Sequence, residues 1–208
     1  MGLVFKAREL NTNRIIAAKI LYPRTVADPK LMQAFRREVY FLIKLAHPNI
    51  IKGYFVTLPK KFNKLHYLII EYVPGPSIQE LIDLSKQQAE SAAGIHEELT
   101  WMITMQAAKA RDYLQLQYIF HRDIKPDNLL IDKAKGIVKL CDLSFAQPIT
   151  LSTTGDITAH TTSGTAAYMS PEQSQEHSTI GIRSDIYSLG ATLYHMGMAR
   201  RHSPARII

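Results

Sequence analysis

The chemically richest stretch of this 208-residue chain is the octapeptide His-Arg-Asp-Ile-Lys-Pro-Asp-Asn at residues 121–128. Asp123 offers a carboxylate that can accept a proton, Lys125 an ammonium that can neutralise an anion, and Asn128 an amide oxygen that can bind a cation. Asp123 alone could equally be a carboxylate that caps its own loop. The three residues together, in register, favour a chemical role over a structural one.

Three further charged residues stand beside apolar runs. Asp142 follows the run 138–140, nineteen residues after Asp123, and Lys19 ends the segment Ile-Ala-Ala-Lys. Glu38 lies nineteen residues after Lys19, in a predicted helix. The structural alternatives are an aspartate that starts a turn and two exposed surface charges, which is where most lysines and glutamates are found.

The first 75 residues contain short apolar runs around one amphipathic helix. Their patterns predict a small, mostly antiparallel sheet that carries this helix. The predicted strands are 3–8, 14–20, 50–56 and 66–73, and the predicted helix is 29–45.

After Pro74, Gly75 and Pro76 the pattern becomes helical, which predicts a break between two lobes. A segment rich in Thr and Ser, residues 149–165, has the character of a long loop that is either functional or disordered. The predicted helices here are 77–84, 99–118 and 183–195, and two strand-like runs are 129–131 and 138–140.

In this order the motifs resemble those of the protein kinase superfamily, in the bacterial form of its serine/threonine branch. The octapeptide matches the catalytic loop, residues 16–19 resemble the V-A-I-K strand, and residues 164–172 resemble the end of the activation segment. The implied fold is α+β with two lobes: a small antiparallel-sheet lobe with one helix, and a mainly helical, incomplete lobe. The implied bounds are an N-lobe at 1–73, a hinge at 74–76, a partial C-lobe at 77–195 and a basic, non-family tail at 196–208.

The resemblance implies five catalytic residues. Asp123 would orient a substrate hydroxyl and accept its proton, and Lys125 would offer its charge to the transferring phosphoryl group. Lys19 would contact the nucleotide phosphates, and Glu38 would hold Lys19 in place. Within this resemblance, a functional ion pair is a better interpretation of Lys19 and Glu38 than two surface charges. Asn128 would hold magnesium on the phosphates.

The implied cofactors are ATP, or GTP in its place, and Mg²⁺. Asp142 takes the place of the D-F-G aspartate as the second metal ligand. Leu143 can fill the apolar slot of the usual phenylalanine, whereas Ser144 cannot adopt positive φ as freely as glycine, so we expect the loop to flip less easily. Ile70 corresponds to the gatekeeper. The implied nucleotide-binding residues are Gly2, Val4, Ala17, Lys19, Glu71, Val73, Leu130 and Asp142.

The activation segment contains a candidate regulatory site. Thr161 and Thr162 stand where the family's activating phosphothreonine usually lies, and Arg122 is the cation expected to receive the phosphate. A Thr/Ser-rich loop without modification is the alternative. Structural roles are implied for Thr165, Glu172 and Asp185.

The match stops short of both ends of the family domain. Gly2 and Val4 align only with the end of the pattern G-x-G-x-x-G-x-V, and the resemblance ends at His195. We therefore expect a domain cut short at both ends, with weakened nucleotide affinity. By itself the 208-residue chain should be poorly folded and inactive, because Glu172 would lack its arginine partner and helix 183–195 its apolar cover.

Composition excludes several other classes. No apolar run approaches the ~18 residues that span a bilayer, and the N-terminus lacks a signal-peptide pattern, which favours the cytoplasm. Cys141 is the only cysteine, so no internal disulfide can form. The formal charge of +7 is spread along the chain, which argues against a nucleic-acid partner.

Two functions remain. The first is transfer of the ATP γ-phosphate to Ser or Thr hydroxyls of a protein substrate. The alternative is a catalytically inactive remnant or a pseudokinase-like binding module. The five residues that usually decay in pseudokinases are all present, which favours the kinase; they are Lys19, Glu38, Asp123, Asn128 and Asp142.

Overall fold

The computed structural model describes residues 2–57, 65–88, 94–148, 166–174 and 181–198. Within these ranges the chain forms a four-stranded antiparallel sheet with two helices, followed by a mainly helical part. The α+β fold class expected from the sequence is therefore confirmed.

The sheet has the strand order β1-β2-β4-β3, and every neighbouring pair is antiparallel. Its pairing sets Val4 opposite Lys19 and Ala17 opposite Ile70. Because alternate residues of a strand share a face, these four side chains lie on the same side of the sheet. The strands are β1 (Gly2–Arg8), β2 (Ile15–Leu21), β3 (Gly53–Thr57) and β4 (Tyr67–Glu71).

Helix α2 (Pro29–Lys44) packs against this sheet and carries Glu38. Asp28 caps its N-terminus by accepting hydrogen bonds from two amides of the first turn, at 2.8 and 3.2 Å. Pro29 suits the first helical position because no intrahelical donor is needed there. The buried residues recur every three or four positions, which places Glu38 on the packed side: Ala34, Phe35, Glu38, Phe41 and Leu42.

The second part is built on two long helices, α4 and α6, which pack against each other. In α4 the fully buried positions Ile103, Ala107, Ala110 and Leu114 follow helical spacing. A hairpin, β6–β7, and a two-residue pairing, β5–β8, flank the helices. The remaining elements are α1 (Pro23–Ala27), α3 (Ile78–Gln88), α4 (Glu97–Leu116), β5 (Ile119–Phe120), β6 (Leu129–Asp132), β7 (Ile137–Leu140), β8 (Gln147–Pro148), α5 (Pro171–Ser174) and α6 (Ile182–Met198).

The segment after β4 joins the two parts and lies directly on β6. The Ile131 amide donates to the Pro76 carbonyl at 3.0 Å. A Cβ atom added at Gly75 would lie 1.8 Å from the Ile131 carbonyl oxygen, so only glycine fits this approach.

Two further contacts hold the sheet against the second part. In the loop after α2, the Asn49 carbonyl accepts from the Leu140 amide at 2.8 Å, and the Ile51 amide donates to the Leu140 carbonyl at 2.9 Å. At the end of β4, the Glu71 carboxylate lies 2.8 Å from Lys139 Nζ on β7.

The predicted and observed elements differ in a few places. The strand predicted at 50–56 begins only at Gly53, because Ile50 pairs with Leu140 across the junction. The last helix runs on to Met198 rather than ending at His195. The elements α1, α5, β5 and β8 were missed because they are too short to show a period. The domain bounds drawn from the resemblance stay a prediction.

No helix in the described part of the chain combines the length and the hydropathy that a bilayer crossing requires.

Candidate functional site

The loop that contains Asp123 is fastened to α6 by one buried carboxylate. Asp185, only 2% exposed, accepts hydrogen bonds from the backbone amides of His121 at 2.8 Å and Arg122 at 2.7 Å. Arg122 has φ of 69°, a left-handed conformation that is costly for a residue with a side chain. The two bonds to Asp185 therefore stabilise a strained backbone next to Asp123.

His121 ties the same loop to the strand that precedes Asp142. Its fully buried imidazole accepts from the Asp123 amide at Nδ1, 3.3 Å away, and its Nε2 lies 3.1 Å from the Cys141 carbonyl oxygen. The tautomer protonated at Nε2 satisfies both contacts. This role was missed from the sequence, although the motif itself includes the histidine.

Asp123, Lys125 and Asn128 form one hydrogen-bonded cluster. Lys125 Nζ lies 2.8 Å from Asp123 Oδ2. The Asn128 side-chain nitrogen donates to the same oxygen at 2.9 Å and to the Asp123 carbonyl at 2.8 Å. Burial raises the pKa of Asp123, and the Lys125 ammonium offsets this only in part. A higher pKa makes the carboxylate a stronger proton acceptor.

Lys19 and Glu38 form a buried ion pair between β2 and α2. Lys19 Nζ lies 2.7 Å from both oxygens of Glu38 and 4.0 Å from Asp142 Oδ1. Burial opposes the charge on Lys19, but the two carboxylates outweigh it and hold the pKa of Lys19 above its ordinary value. Burial also raises the pKa of Glu38 to about 7, against the effect of Lys19. An ammonium centred on two oxygens at equal distance has the geometry of an ionised pair.

Replacing Glu38 by glutamine tests whether this carboxylate keeps the buried Lys19 charged. Without the carboxylate, burial outweighs the remaining attraction, so the pKa of Lys19 should fall and the amine should lose its proton at lower pH. We expect acylation of Lys19 at pH 9, followed by mass spectrometry in the full-length protein, to become roughly tenfold faster. Glu98→Gln, at an exposed carboxylate of α4, is the control. An unchanged rate in Glu38→Gln would show that the pair does not set the charge of Lys19.

The segment Asp142, Leu143 and Ser144 forms a tight turn under α2. Leu143 is fully buried, so it fills the apolar slot expected for it. The left-handed residue is Asp142, with φ of 60°, and Ser144 is not among the described residues that have positive φ. In this conformation of the turn Ser144 therefore does not need positive φ, and the expectation that the loop flips less easily than with glycine stays a prediction.

The Asp142 carboxylate is held by its neighbour and by Lys19. Its Oδ1 accepts from the Ser144 hydroxyl at 2.6 Å and from the Ser144 amide at 3.3 Å. Burial opposes ionisation, but Lys19 and these two hydrogen bonds hold the pKa of Asp142 below its ordinary value. Asp142 is thus kept as an anion, with 36% of its side chain exposed.

A cleft of about 600 Å³ collects the residues singled out from the sequence. A Cβ atom at Gly2 would lie 2.1 Å from the Ile20 carbonyl oxygen, so the start of β1 also requires glycine. Of the proposed catalytic, nucleotide and metal residues, the cleft is lined by Gly2, Val4, Ala17, Lys19, Glu38, Glu71, Val73, Asp123, Lys125, Asn128, Leu130 and Asp142.

The gatekeeper candidate, Ile70, lines the cleft as well. Four other lining residues were missed from the sequence. Cys141 and Tyr72 adjoin residues that were singled out, so adjacency could have found them. Ile51 follows the loop that packs on the second part, which no local pattern reveals. The missed residues are Ile51, Tyr72, Cys141 and Phe145.

Two groups of expected site residues lie elsewhere. Thr161, Thr162 and Thr165 fall outside the described residues. Glu172, for which a structural role was expected, is half-buried on α5, where its Oε1 accepts from the Ser184 hydroxyl at 2.7 Å. Burial opposes its ionisation, yet the Ser184 hydrogen bond contributes to holding the pKa of Glu172 below its ordinary value.

The oxygen atoms of the cleft suit a hard divalent cation. The Asn128 side-chain nitrogen donates two hydrogen bonds to Asp123, one from each of its hydrogens. The Asn128 side-chain oxygen is therefore the atom that could bind a cation. Together with Asp142 it supplies the oxygen donors that Mg²⁺ prefers. Within the described ranges, no group of three or more His, Cys, Asp or Glu could hold a metal by itself. The residues present therefore fit magnesium held partly by a nucleotide, which usually supplies phosphate oxygens as ligands.

Comparison with known proteins finds similarity to protein kinases. The model of the protein kinase domain matches residues 1–206. A probable serine/threonine-protein kinase of Clostridium perfringens is 33% identical over 198 residues, which are 94% of this chain and 27% of that protein. The serine/threonine-protein kinases PknB of Mycolicibacterium smegmatis and Mycobacterium tuberculosis are 34% and 32% identical, over 94% of this chain and 30% of their own lengths.

The chain thus spans less than a third of the length of these curated relatives. The family match covers almost all of its residues and confirms the resemblance that the motifs indicated. This chain belongs to the protein kinase family.

Proposed function

We propose that this domain transfers the γ-phosphate of ATP to serine or threonine hydroxyls of a protein substrate. One observation supports this most strongly: a single cleft is lined by the Lys19–Glu38 pair, the Asp142 carboxylate and the Asp123 cluster. These groups come from a strand, a helix and two loops, so chance proximity is a poor explanation.

The nucleotide would lie between the sheet and β6. Val4, Ala17 and Leu130 offer apolar surfaces to the base, and the Glu71 carbonyl and Val73 amide would meet its edge. Lys19, held by Glu38, would bind the phosphates. Asn128 and Asp142 would hold magnesium, which neutralises charge on the phosphates.

Asp123 is the proposed proton acceptor. Its buried carboxylate has a raised pKa, so it can both orient a hydroxyl and accept its proton. Lys125, 2.8 Å from the Asp123 carboxylate, would add positive charge where the phosphoryl group is transferred. The Asn128 and Lys125 contacts fix the direction of the Asp123 carboxylate in advance.

The proposal includes a protein as the substrate and the cytoplasm as the location, where ATP and magnesium are available. The alternative, a binding module without catalysis, shares the nucleotide cleft but predicts no transfer. Incubating the full-length protein with γ-labelled ATP and a generic basic protein distinguishes the two. Nucleotide binding without labelled Ser or Thr would favour the alternative.

Asp142→Asn tests the nucleotide-metal part of the proposal. We expect the affinity for Mg·ATP to fall roughly tenfold or more, because a charged metal ligand is replaced by a neutral one. Binding would be measured by fluorescence of a nucleotide analogue in excess Mg²⁺. Asp83→Asn, at an exposed carboxylate of α3, is the matched control. Equal affinities of Asp142→Asn and the unmodified protein would contradict the assignment.

A further inference from the structure

Ser144 occupies a position where glycine is usual in the family, and its side chain donates a hydrogen bond to Asp142. It is 2% exposed, and its hydroxyl lies 2.6 Å from Asp142 Oδ1. We propose that Ser144 is a positioning residue: its hydroxyl turns the Asp142 carboxylate so that Oδ2 is the oxygen offered to the metal. This inference rests on the proposed function, since it assigns a geometry to the same metal site.

The distribution of hydrogen bonds on the carboxylate carries the argument. Each carboxylate oxygen has about two lone-pair sites. The Ser144 amide and hydroxyl both donate to Oδ1, and Lys19 lies 4.0 Å from the same atom. Among the residues that the structure describes, no donor contacts Oδ2. The two oxygens are therefore unequal, and Oδ2 is the one available as a ligand.

The backbone gives a second reason for the hydroxyl. Asp142 is in the left-handed region with φ of 60°. Aspartate enters this region more readily than most residues because its short side chain can form local hydrogen bonds. The bonds to Ser144 are of this local kind, so the hydroxyl stabilises the backbone and the carboxylate of Asp142 together. Glycine at this position would leave only the longer bond from the amide.

The test compares nucleotide affinity with and without metal. In the full-length protein, a fluorescent ATP analogue would be titrated in excess Mg²⁺ and again in EDTA. Ser144→Ala should raise the Kd about fivefold or more in Mg²⁺, because a hydrogen bond to a charged group is lost. In EDTA its Kd should change less than about twofold. Ser85→Ala is the matched control, since it removes a half-buried hydroxyl that bonds the Ile82 carbonyl in α3.

A double-mutant cycle separates positioning from packing. In the Asp142→Asn background, Ser144→Ala should cause no further loss of affinity in Mg²⁺. An equal loss in Mg²⁺ and in EDTA, or an undiminished loss in that background, would show a structural role and overturn the inference. Unchanged affinity of Ser144→Ala, with normal magnesium dependence in the unmodified protein, would overturn the inference alone. If the unmodified protein binds nucleotide equally with and without Mg²⁺, the proposed metal role and the inference are both wrong.

Discussion

Replacing Asp123 by asparagine should slow phosphoryl transfer by roughly 100-fold or more and leave the affinity for ATP nearly unchanged. The change removes the proton acceptor, whereas the asparagine oxygen can still accept the hydrogen bonds from Lys125 and Asn128. Geometry should therefore persist while the chemistry is lost.

Steady-state kinetics on the full-length protein would measure kcat, and the fluorescent nucleotide titration would measure binding. The control is again Asp83→Asn, which makes the same chemical change on the exposed side of α3. Full activity of Asp123→Asn would show that the catalytic loop has been assigned wrongly. A large loss of ATP affinity would instead place Asp123 in nucleotide binding.

Removing the Asp185 carboxylate should have the largest effect on the structure of the site. Asp185→Ala deletes two charge-assisted hydrogen bonds and leaves the amides of His121 and Arg122 without their acceptor. Each such bond contributes about 1.5–3 kcal/mol, so we expect the free energy of unfolding to fall by roughly 3–6 kcal/mol. That is a large fraction of the ~5–15 kcal/mol of a typical domain.

Hydrogen exchange followed by mass spectrometry can locate this effect. A peptide that covers residues 121–125 should lose protection in Asp185→Ala before the rest of the domain does. Asp185→Asn keeps one acceptor oxygen and should lose about half as much stability. Retained protection of the peptide in Asp185→Ala would mean that other contacts hold the loop.

The regular elements could be predicted from the sequence because they are long enough to show a period. The buried residues of α2 recur every three or four positions, and β2 is a continuous apolar run that ends near Lys19. The loop 45–51 could not be placed in this way. Its backbone bonds to β7, about 90 residues further along the chain, depend on tertiary packing alone.

The candidate site was predictable to the extent that its residues belong to short motifs. Asp123, Lys125 and Asn128 are so close in sequence that their spacing nearly fixes their contacts. The pairing of Lys19 with Glu38 needed the family resemblance, because no local pattern joins a strand to a helix. The conformation of the turn at Asp142 gave no signal in the sequence: its left-handed residue is Asp142, whose side chain accepts hydrogen bonds from Ser144.

The contacts that hold the sheet on the second part also determine how the cleft can open. The linker at Gly75, the Glu71–Lys139 ion pair and the Ile51–Leu140 hydrogen bond all involve β4, the residues just after it, or the loop before β3. A rotation that pivots near these contacts would strain them less than a sliding motion of the sheet would. Because β1 is two strands, or about 10 Å, away from β4, any such rotation displaces Val4 more than Ile70. Thermal breathing of the cleft is therefore expected to be a swing of its β1 edge, with Glu71 and Val73 nearly stationary.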